Sequence, residues 1–146
     1  MNKIKAYGIC LYKIDKNNIK VLLCKSISSK NRWGFLKGVQ EKNETNEETA
    51  RREFKEECGI NIDKSILENY FEQSNKTKDI GIYLVNYDNI NNIDKYFTND
   101  KLLNNYLSWE NSAVKFYNLQ SLPKIKTKQF KLTNNIIKHF KGLKNA

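Results

Sequence analysis

Gly38-Val-Gln-Glu41-Lys-Asn-Glu44-Thr-Asn-Glu47-Glu48-Thr-Ala-Arg-Arg52-Glu53-Phe54-Lys-Glu56-Glu57-Cys58-Gly59-Ile60 is the stretch around which the rest of this sequence organises itself. Residues 47–58 have the makings of a helix. Asn46 is placed to cap it, Glu47 and Glu48 suit the positive end of its dipole, and Gly59 stands where a helix stops. At about 100° per residue, Glu53, Glu56 and Glu57 share an arc of roughly 100°, and Ala50, Phe54 and Cys58 form an apolar stripe beside it. That stripe seats the helix against a sheet and leaves the acids bordering a cleft. Carboxylates this close raise one another's pKa, and binding hard divalent cations such as Mg²⁺ keeps them ionised. The plainer reading of the same residues is a solvated acidic face paired i,i+4 with Arg51, Arg52 or Lys55.

Before this stretch, residues 3–14 alternate in polarity, residues 15–18 are turn-like and residues 19–25 are largely apolar, which predicts an antiparallel hairpin. Residues 26–32 read as a polar loop and 33–35 as a short strand. After it, residues 66–73 and 79–86 predict a strand pair and 113–117 a last strand. Residues 126–143 carry Phe130, Ile136, Ile137, Phe140 and Leu143 at helical spacing, a covering helix with one wet face. No repeat and no Pro-, Gly- or Ser-rich linker divides residues 1–146, so a single domain is expected.

Composition narrows the classes. A hydrophobic share of 39% and an aromatic share of 12% exclude a disordered chain. No apolar run reaches membrane-span length and the N-terminus has no signal-like region, which predicts a cytoplasmic protein without a membrane partner. Cys10, Cys24 and Cys58 read as reduced core thiols. His139 is the only histidine, which excludes a His-based nucleophilic triad and a His-rich zinc site. The net charge is +10, yet residues 41–57 hold seven acids against four bases. An acidic patch within a basic chain points to a metal site that handles phosphates.

The spacing Gly38, five residues, Glu44, seven residues, then Arg52-Glu53-Phe54-Lys55-Glu56-Glu57-Cys58-Gly59-Ile60 resembles the Nudix box, GX5EX7REUXEEXGU with U bulky and apolar, at every specified position. The resemblance implies an α/β fold: the Nudix α/β/α sandwich, with a mixed, mostly antiparallel central sheet, the box helix on one face and the C-terminal helix on the other. It also implies a Mg²⁺-dependent pyrophosphohydrolase, with Mn²⁺ as an alternative metal. Glu53, Glu56 and Glu57 would be the ligands, together with a backbone carbonyl at Lys37 or Gly38. Glu44 would orient the loop and helix, and Arg52 would hold a carboxylate in a fixed bidentate orientation.

Leu107-Ser108-Trp109-Glu110 is similar to the LSHEH segment of asymmetric diadenosine tetraphosphate hydrolases, with Trp109 and Asn111 in place of its two histidines. This implies Glu110 as a further metal ligand or a general base. Trp33-Gly34-Phe35-Leu36-Lys37-Gly38 resembles the WxxPKG approach to the box, with Leu36 replacing Pro, and gives Lys37 a reach to phosphate. Tyr83, among the aromatics of the central strands, is the candidate for stacking on a base, with core packing as its alternative. The implied substrate is a nucleoside polyphosphate, first a dinucleoside polyphosphate such as diadenosine tetraphosphate. The alternatives are the 5′ end of RNA, drawn by lysines such as Lys131, Lys138 and Lys141, and a nucleotide- or RNA-binding sensor without turnover. The oligomeric state leaves no mark in the sequence.

Overall fold

Strand β1 (Ile4–Asp15) organises the molecule, because both of its edges and both of its faces are used. The computed structural model describes residues 3–28 and 30–144; Met1, Asn2, Asn145, Ala146 and, within the expected loop, Ser29 lie outside the described residues. β1 is followed by β2 (Asn18–Ser26), β3 (Leu36–Val39), helix α1 (Asn46–Cys58), β4 (Tyr70–Ser74), β5 (Lys78–Asn86), the short β6 (Phe97–Thr98) and β7 (Lys101–Leu102), β8 (Asn111–Asn118) and helix α2 (Phe130–Lys144). The sheet runs β4-β5-β1-β2-β8-β7-β6, with β3 also on β1. β1 and β5 are parallel, and the other strand pairs are antiparallel.

On one edge β1 pairs with β5 from Ile4 to Tyr12. Its other edge is shared: β3 occupies Ala6 to Ile9 and β2 takes over from Tyr12 to Asp15. β1 and β2 therefore diverge toward one end, and β3, which carries Lys37 and Gly38, fills the gap. Tyr7, Ile9 and Leu11 pack on one face with Ala50, Phe54 and Cys58 of α1. Cys10 and Tyr12 pack on the other with Leu132, Ile136 and Phe140 of α2. Both faces are covered, which is why the strand reads as nearly continuous apolar sequence. Each large aliphatic or aromatic side chain buried in these two clusters contributes about 1.5–3 kcal/mol. The result is the expected α/β/α sandwich with its mixed, mostly antiparallel sheet. The three cysteines are buried and free. Among the described residues no helix is long and apolar enough to cross a membrane.

Several boundaries differ from the sequence reading. Trp33 and Gly34 make only isolated bridges, to Ile125 and Cys24, and the strand expected at 33–35 lies at 36–39. The strand expected from residue 66 begins at Tyr70, after a 3₁₀ turn over Lys64–Ile66. The last helix starts at Phe130 rather than 126, because Lys126 donates its N–H to the Trp33 carbonyl and a 3₁₀ turn follows at Thr127–Gln129. At residues 33–35 and 126 bonds between distant segments override local periodicity, and at residue 66 a local turn capped by Asp63 delays the strand.

Candidate active site

Helix α1 is fixed at both ends. Thr45, not Asn46, is its cap: its hydroxyl accepts the Glu48 N–H at 3.1 Å while Glu48 accepts the Thr45 N–H at 2.8 Å. The T-x-x-E spacing of this capping box was present in the sequence and outweighs a lone Asn. Asn46 is the first helical residue and accepts from the Gln40 side chain. At the far end Gly59 adopts a left-handed φ of 80° and donates to the Lys55 carbonyl at 2.8 Å.

The three carboxylates of α1 sit at three depths. Glu56 is exposed, Glu53 is mostly covered and Glu57 is buried at 8% exposure. Arg52 ties the outer part together: Nε and Nη2 donate to the two oxygens of Glu44 at 2.6 and 3.0 Å, and Nη1 donates to Glu53 and Glu56, each at 3.1 Å. Nη2 also reaches the Val39 carbonyl at 3.2 Å, which joins β3 to the helix. The Arg52 guanidinium is the chief reason the Glu44 carboxyl is pulled down to about 2. Glu44 further accepts from the Thr49 hydroxyl and the Glu41 N–H, so it locks the loop onto α1.

Deeper in, burial comes first in raising the Glu53 pKa, followed by repulsion from Glu56. Glu53 lies directly on β3. A Cβ at Gly38 would stand 2.0 Å from its carboxyl carbon, so only glycine lets the strand pass this close. Burial pushes Glu57 up to about 8, against a hydrogen bond from Asn111 Nδ2 to Oε1 at 3.2 Å. Its Oε2 is buried without any hydrogen-bond partner. An unpaired buried carboxylate oxygen is costly unless a cation or proton meets it. Glu110, on the loop before β8, is exposed and near enough to raise the pKa of both Glu53 and Glu57.

As these side chains stand, no three His, Cys, Asp or Glu groups among the described residues enclose a metal position. Arg52 occupies the space between Glu53 and Glu56, and Asn111 holds one oxygen of Glu57. The donor set nevertheless fits a hard cation: carboxylates at graded depth, the orphaned Glu57 oxygen, and β3 backbone in contact with Glu53.

Beyond Lys37 lies a cavity of about 490 Å³ whose lining includes Lys30, Arg32, Lys37, Lys78, Lys126 and Lys128. Burial first, then repulsion from Lys78 and Lys126, pulls Lys37 down to about 8, and attraction to Glu57 partly offsets this. Lys37 is thus the link between the acidic and basic sides. Tyr83 is not part of this cavity. Its ring packs on Tyr70 at a centroid distance of 4.8 Å, and its hydroxyl donates to Glu47 at 3.2 Å. Lys131, Lys138 and Lys141 are exposed on α2 and do not line it either. The sequence reading missed Asn111 as the partner of Glu57, and it missed the cavity lysines, which no spacing rule connects.

With this geometry in view, the family model for the NUDIX domain matches residues 3–137, and the chain belongs to the Nudix family. It is accordingly a hydrolase acting on phosphoanhydride bonds, of a family whose hydrolases generally use a divalent metal such as Mg²⁺. Among solved structures it is similar to the Caenorhabditis elegans Ap4A hydrolase in a binary complex, with 22% identity over 96% of each chain and a TM-score of 0.64. It is also similar to the NUDIX domain of Shewanella oneidensis NrtR complexed with ADP ribose, with 12% identity over 96% of this chain and 90% of that one and a TM-score of 0.67. A third likeness is to the MutT protein of Methanosarcina mazei Go1, with 17% identity over 97% and 98% and a TM-score of 0.60. At these identities the likeness establishes the fold. No curated protein matches the sequence.

Proposed function

We propose that residues 1–146 act as one domain, a metal-dependent pyrophosphohydrolase whose substrate is a dinucleoside polyphosphate such as diadenosine tetraphosphate. The observation that carries the metal-dependent reading is Glu57: a buried carboxylate with one oxygen held by Asn111 and the other unpartnered, beside Glu53 and Glu110. We assign Glu53, Glu56 and Glu57, with the Gly38 carbonyl and Glu110, to holding Mg²⁺ or Mn²⁺. When bound, such an ion acidifies a water and neutralises charge on the leaving phosphate oxygen.

The other roles belong to the chain. Arg52 keeps Glu53 and Glu56 in register through its bidentate grip on Glu44. Glu110, with its exposed carboxylate, is assigned to accept the proton of the attacking water. Lys37 is assigned to a phosphate oxygen next to the bond that breaks. The Leu107–Glu110 segment and the cationic cavity beside Lys37 support a substrate with several phosphates, and the name of the C. elegans neighbour agrees with that reading.

The test is a panel of diadenosine tetraphosphate, nucleoside triphosphates, ADP-ribose and 5′-triphosphorylated RNA, each with Mg²⁺ and with Mn²⁺. The expected outcome is asymmetric cleavage of diadenosine tetraphosphate to AMP and ATP. Release of pyrophosphate from RNA without that cleavage would replace the substrate assignment. Unchanged turnover in excess chelator would remove the metal.

A further inference from the structure

The cavity beyond Lys37 brings six cationic side chains together, and among its described lining residues there is neither a carboxylate nor an aromatic ring. Six like charges around one cavity of about 490 Å³ repel one another, and the repulsion is felt most where water is partly excluded. The fold holds them there nonetheless. Trp33 donates its N–H to the Lys124 carbonyl at 2.8 Å and accepts the Lys126 N–H at 2.9 Å. The Arg32 guanidinium donates to the Ile125 carbonyl at 3.0 Å. Buried Gln129 accepts the Phe35 N–H at 2.9 Å, and its carboxamide lies so close to Gly34 that a Cβ there would stand 2.7 Å from it. Two distant stretches, 32–35 and 124–129, are thus strapped together and carry their charges to one place in advance of any ligand.

The lining also says what does not belong there. A base needs a ring face to stack on, and the nearby aromatics Trp33 and Phe35 are buried in the α2-side core. A ligand matched to this cavity is compact, polyanionic and free of rings. We infer that the cavity is a subsite for a run of phosphates, through which the protein selects substrates by the number of phosphates beyond the cleaved bond and leaves the base outside. This rests on the hydrolase reading only for the word substrate. The binding of a phosphate chain stands on the cavity alone.

The probe is inorganic tripolyphosphate, titrated by calorimetry into the metal-free protein of residues 1–146 in chelator, with pyrophosphate and ADP-ribose as comparators. Tripolyphosphate is expected to bind tighter than either, with an affinity that falls steeply as salt rises. Lys126→Gln/Lys128→Gln should weaken it about tenfold, whereas Lys16→Gln/Lys101→Gln, an equal loss of charge at exposed positions outside the cavity, should change it by less than about twofold. Equal weakening by the two double variants would reduce the effect to net charge and overturn the subsite. So would ADP-ribose binding as tightly as tripolyphosphate. Should the Lys126/Lys128 variant fold poorly, a flat salt dependence in the wild type would by itself overturn the inference.

A second arm compares kcat/KM for diadenosine tri-, tetra- and pentaphosphate, expected to rise with phosphate number in the wild type and to flatten in Lys126→Gln/Lys128→Gln. If no nucleotide is turned over while tripolyphosphate binding still depends on Lys126 and Lys128, the hydrolase reading fails and the subsite stands. Turnover that ignores both lysines, with tripolyphosphate binding unchanged, removes the subsite and leaves the hydrolase.

Discussion

The acidic groups of the site come mostly from one stretch, Glu44 to Glu57, whereas the cations of the cavity are gathered from residues 30–37, from Lys78 and from residues 126–128. On the acidic side charge is compensated by its own sequence: Arg52 serves Glu44, Glu53 and Glu56 at once. On the basic side no carboxylate among the described residues lines the cavity, and backbone bonds hold the lysines against their repulsion. A cluster stabilised from within survives without a ligand. A cluster held only by the surrounding fold gains from one.

The sharpest break of this contrast is at Glu57, the buried carboxylate of α1, whose hydrogen-bond partner is Asn111 rather than Arg52. Glu57→Gln keeps the shape and the Asn111 contact and removes the charge, so kcat with Mg²⁺ should fall by at least about 10², while Glu72→Gln on exposed β4 should be nearly silent. Equal losses in the two variants would dissolve the distinction. Without metal the effect on stability is opposite. Burial lifts the folded-state pKa of Glu57 to about 8, above an unfolded value near 4.3, so the folded state holds the proton more tightly. The resulting penalty is absent at pH 4 and grows as pH rises from about 4.3 to 8. In chelator, Glu57→Gln should therefore melt above the wild type at pH 8 and level with it near pH 4. A variant that melts lower at pH 8 would make Glu57 a structural acid.

Next in size is Arg52→Lys, which keeps the charge and loses the fork. A lysine cannot hold both oxygens of Glu44 while reaching Glu53 and Glu56, so activity should drop about 10- to 100-fold and stability by roughly 1–3 kcal/mol. Glu44 reports the cause. Its depressed pKa supplies stability that is complete above about pH 4.5 and lost as pH falls toward 2, and acid melting curves of Arg52→Lys should lose that protection first. An unchanged acid limb would show that Arg52 acts on the reaction without organising the loop.

These residues were legible because the chemistry of the acidic side is local. The box helix, its Gly59 stop, the apolar stripe of Ala50, Phe54 and Cys58, and the i,i+4 contact of Arg52 with Glu56 follow from spacing within one turn or two, whereas the grip of Arg52 on a carboxylate outside the helix, Glu44, was implied by the family resemblance alone. The Thr45 cap is equally local, since its T-x-x-E spacing stands in the sequence beside the Asn46 that the sequence reading names. The cavity is different. Lys37, Lys78 and Lys126 meet because β3 and β5 flank β1 and residues 124–126 return to Trp33, relations that no window of sequence contains. In a chain with 26 Lys and Arg, six that converge look like the other twenty. Asn111 was hidden in the same way, since its partner Glu57 lies 54 residues away.

A smaller effect is expected where the strap meets the cavity floor. Gly34→Ala puts a methyl into the Gln129 carboxamide, which must swing away and release the Phe35 N–H. The loss should be about 1–3 kcal/mol in stability, with the carboxylate chemistry left in place. Gly34→Ala should also weaken tripolyphosphate more than it changes kcat. A fall in kcat with intact tripolyphosphate binding would show that the two sides are not separately built.

The smallest effect belongs to the lysines that the sequence made most conspicuous. Leu132, Ile136 and Phe140 turn toward the sheet, leaving Lys131, Lys138 and Lys141 exposed on α2. Lys138 and Lys141 lie about 13–18 Å beyond Gln129 along the helix, and charges more than a Debye length from a ligand, about 8–10 Å at ordinary salt, are largely screened; Lys131 is nearer but exposed and outside the cavity lining. Neutralising all three should leave cleavage of diadenosine tetraphosphate within about twofold and its salt dependence unchanged. A long RNA would differ, because each phosphate contacted steepens the dependence of affinity on salt and removing contacts flattens it. If the triple variant flattens the salt dependence of 5′-triphosphorylated RNA binding and slows its turnover, the working basic surface extends from the cavity across α2, and the substrate is a polymer rather than a dinucleotide.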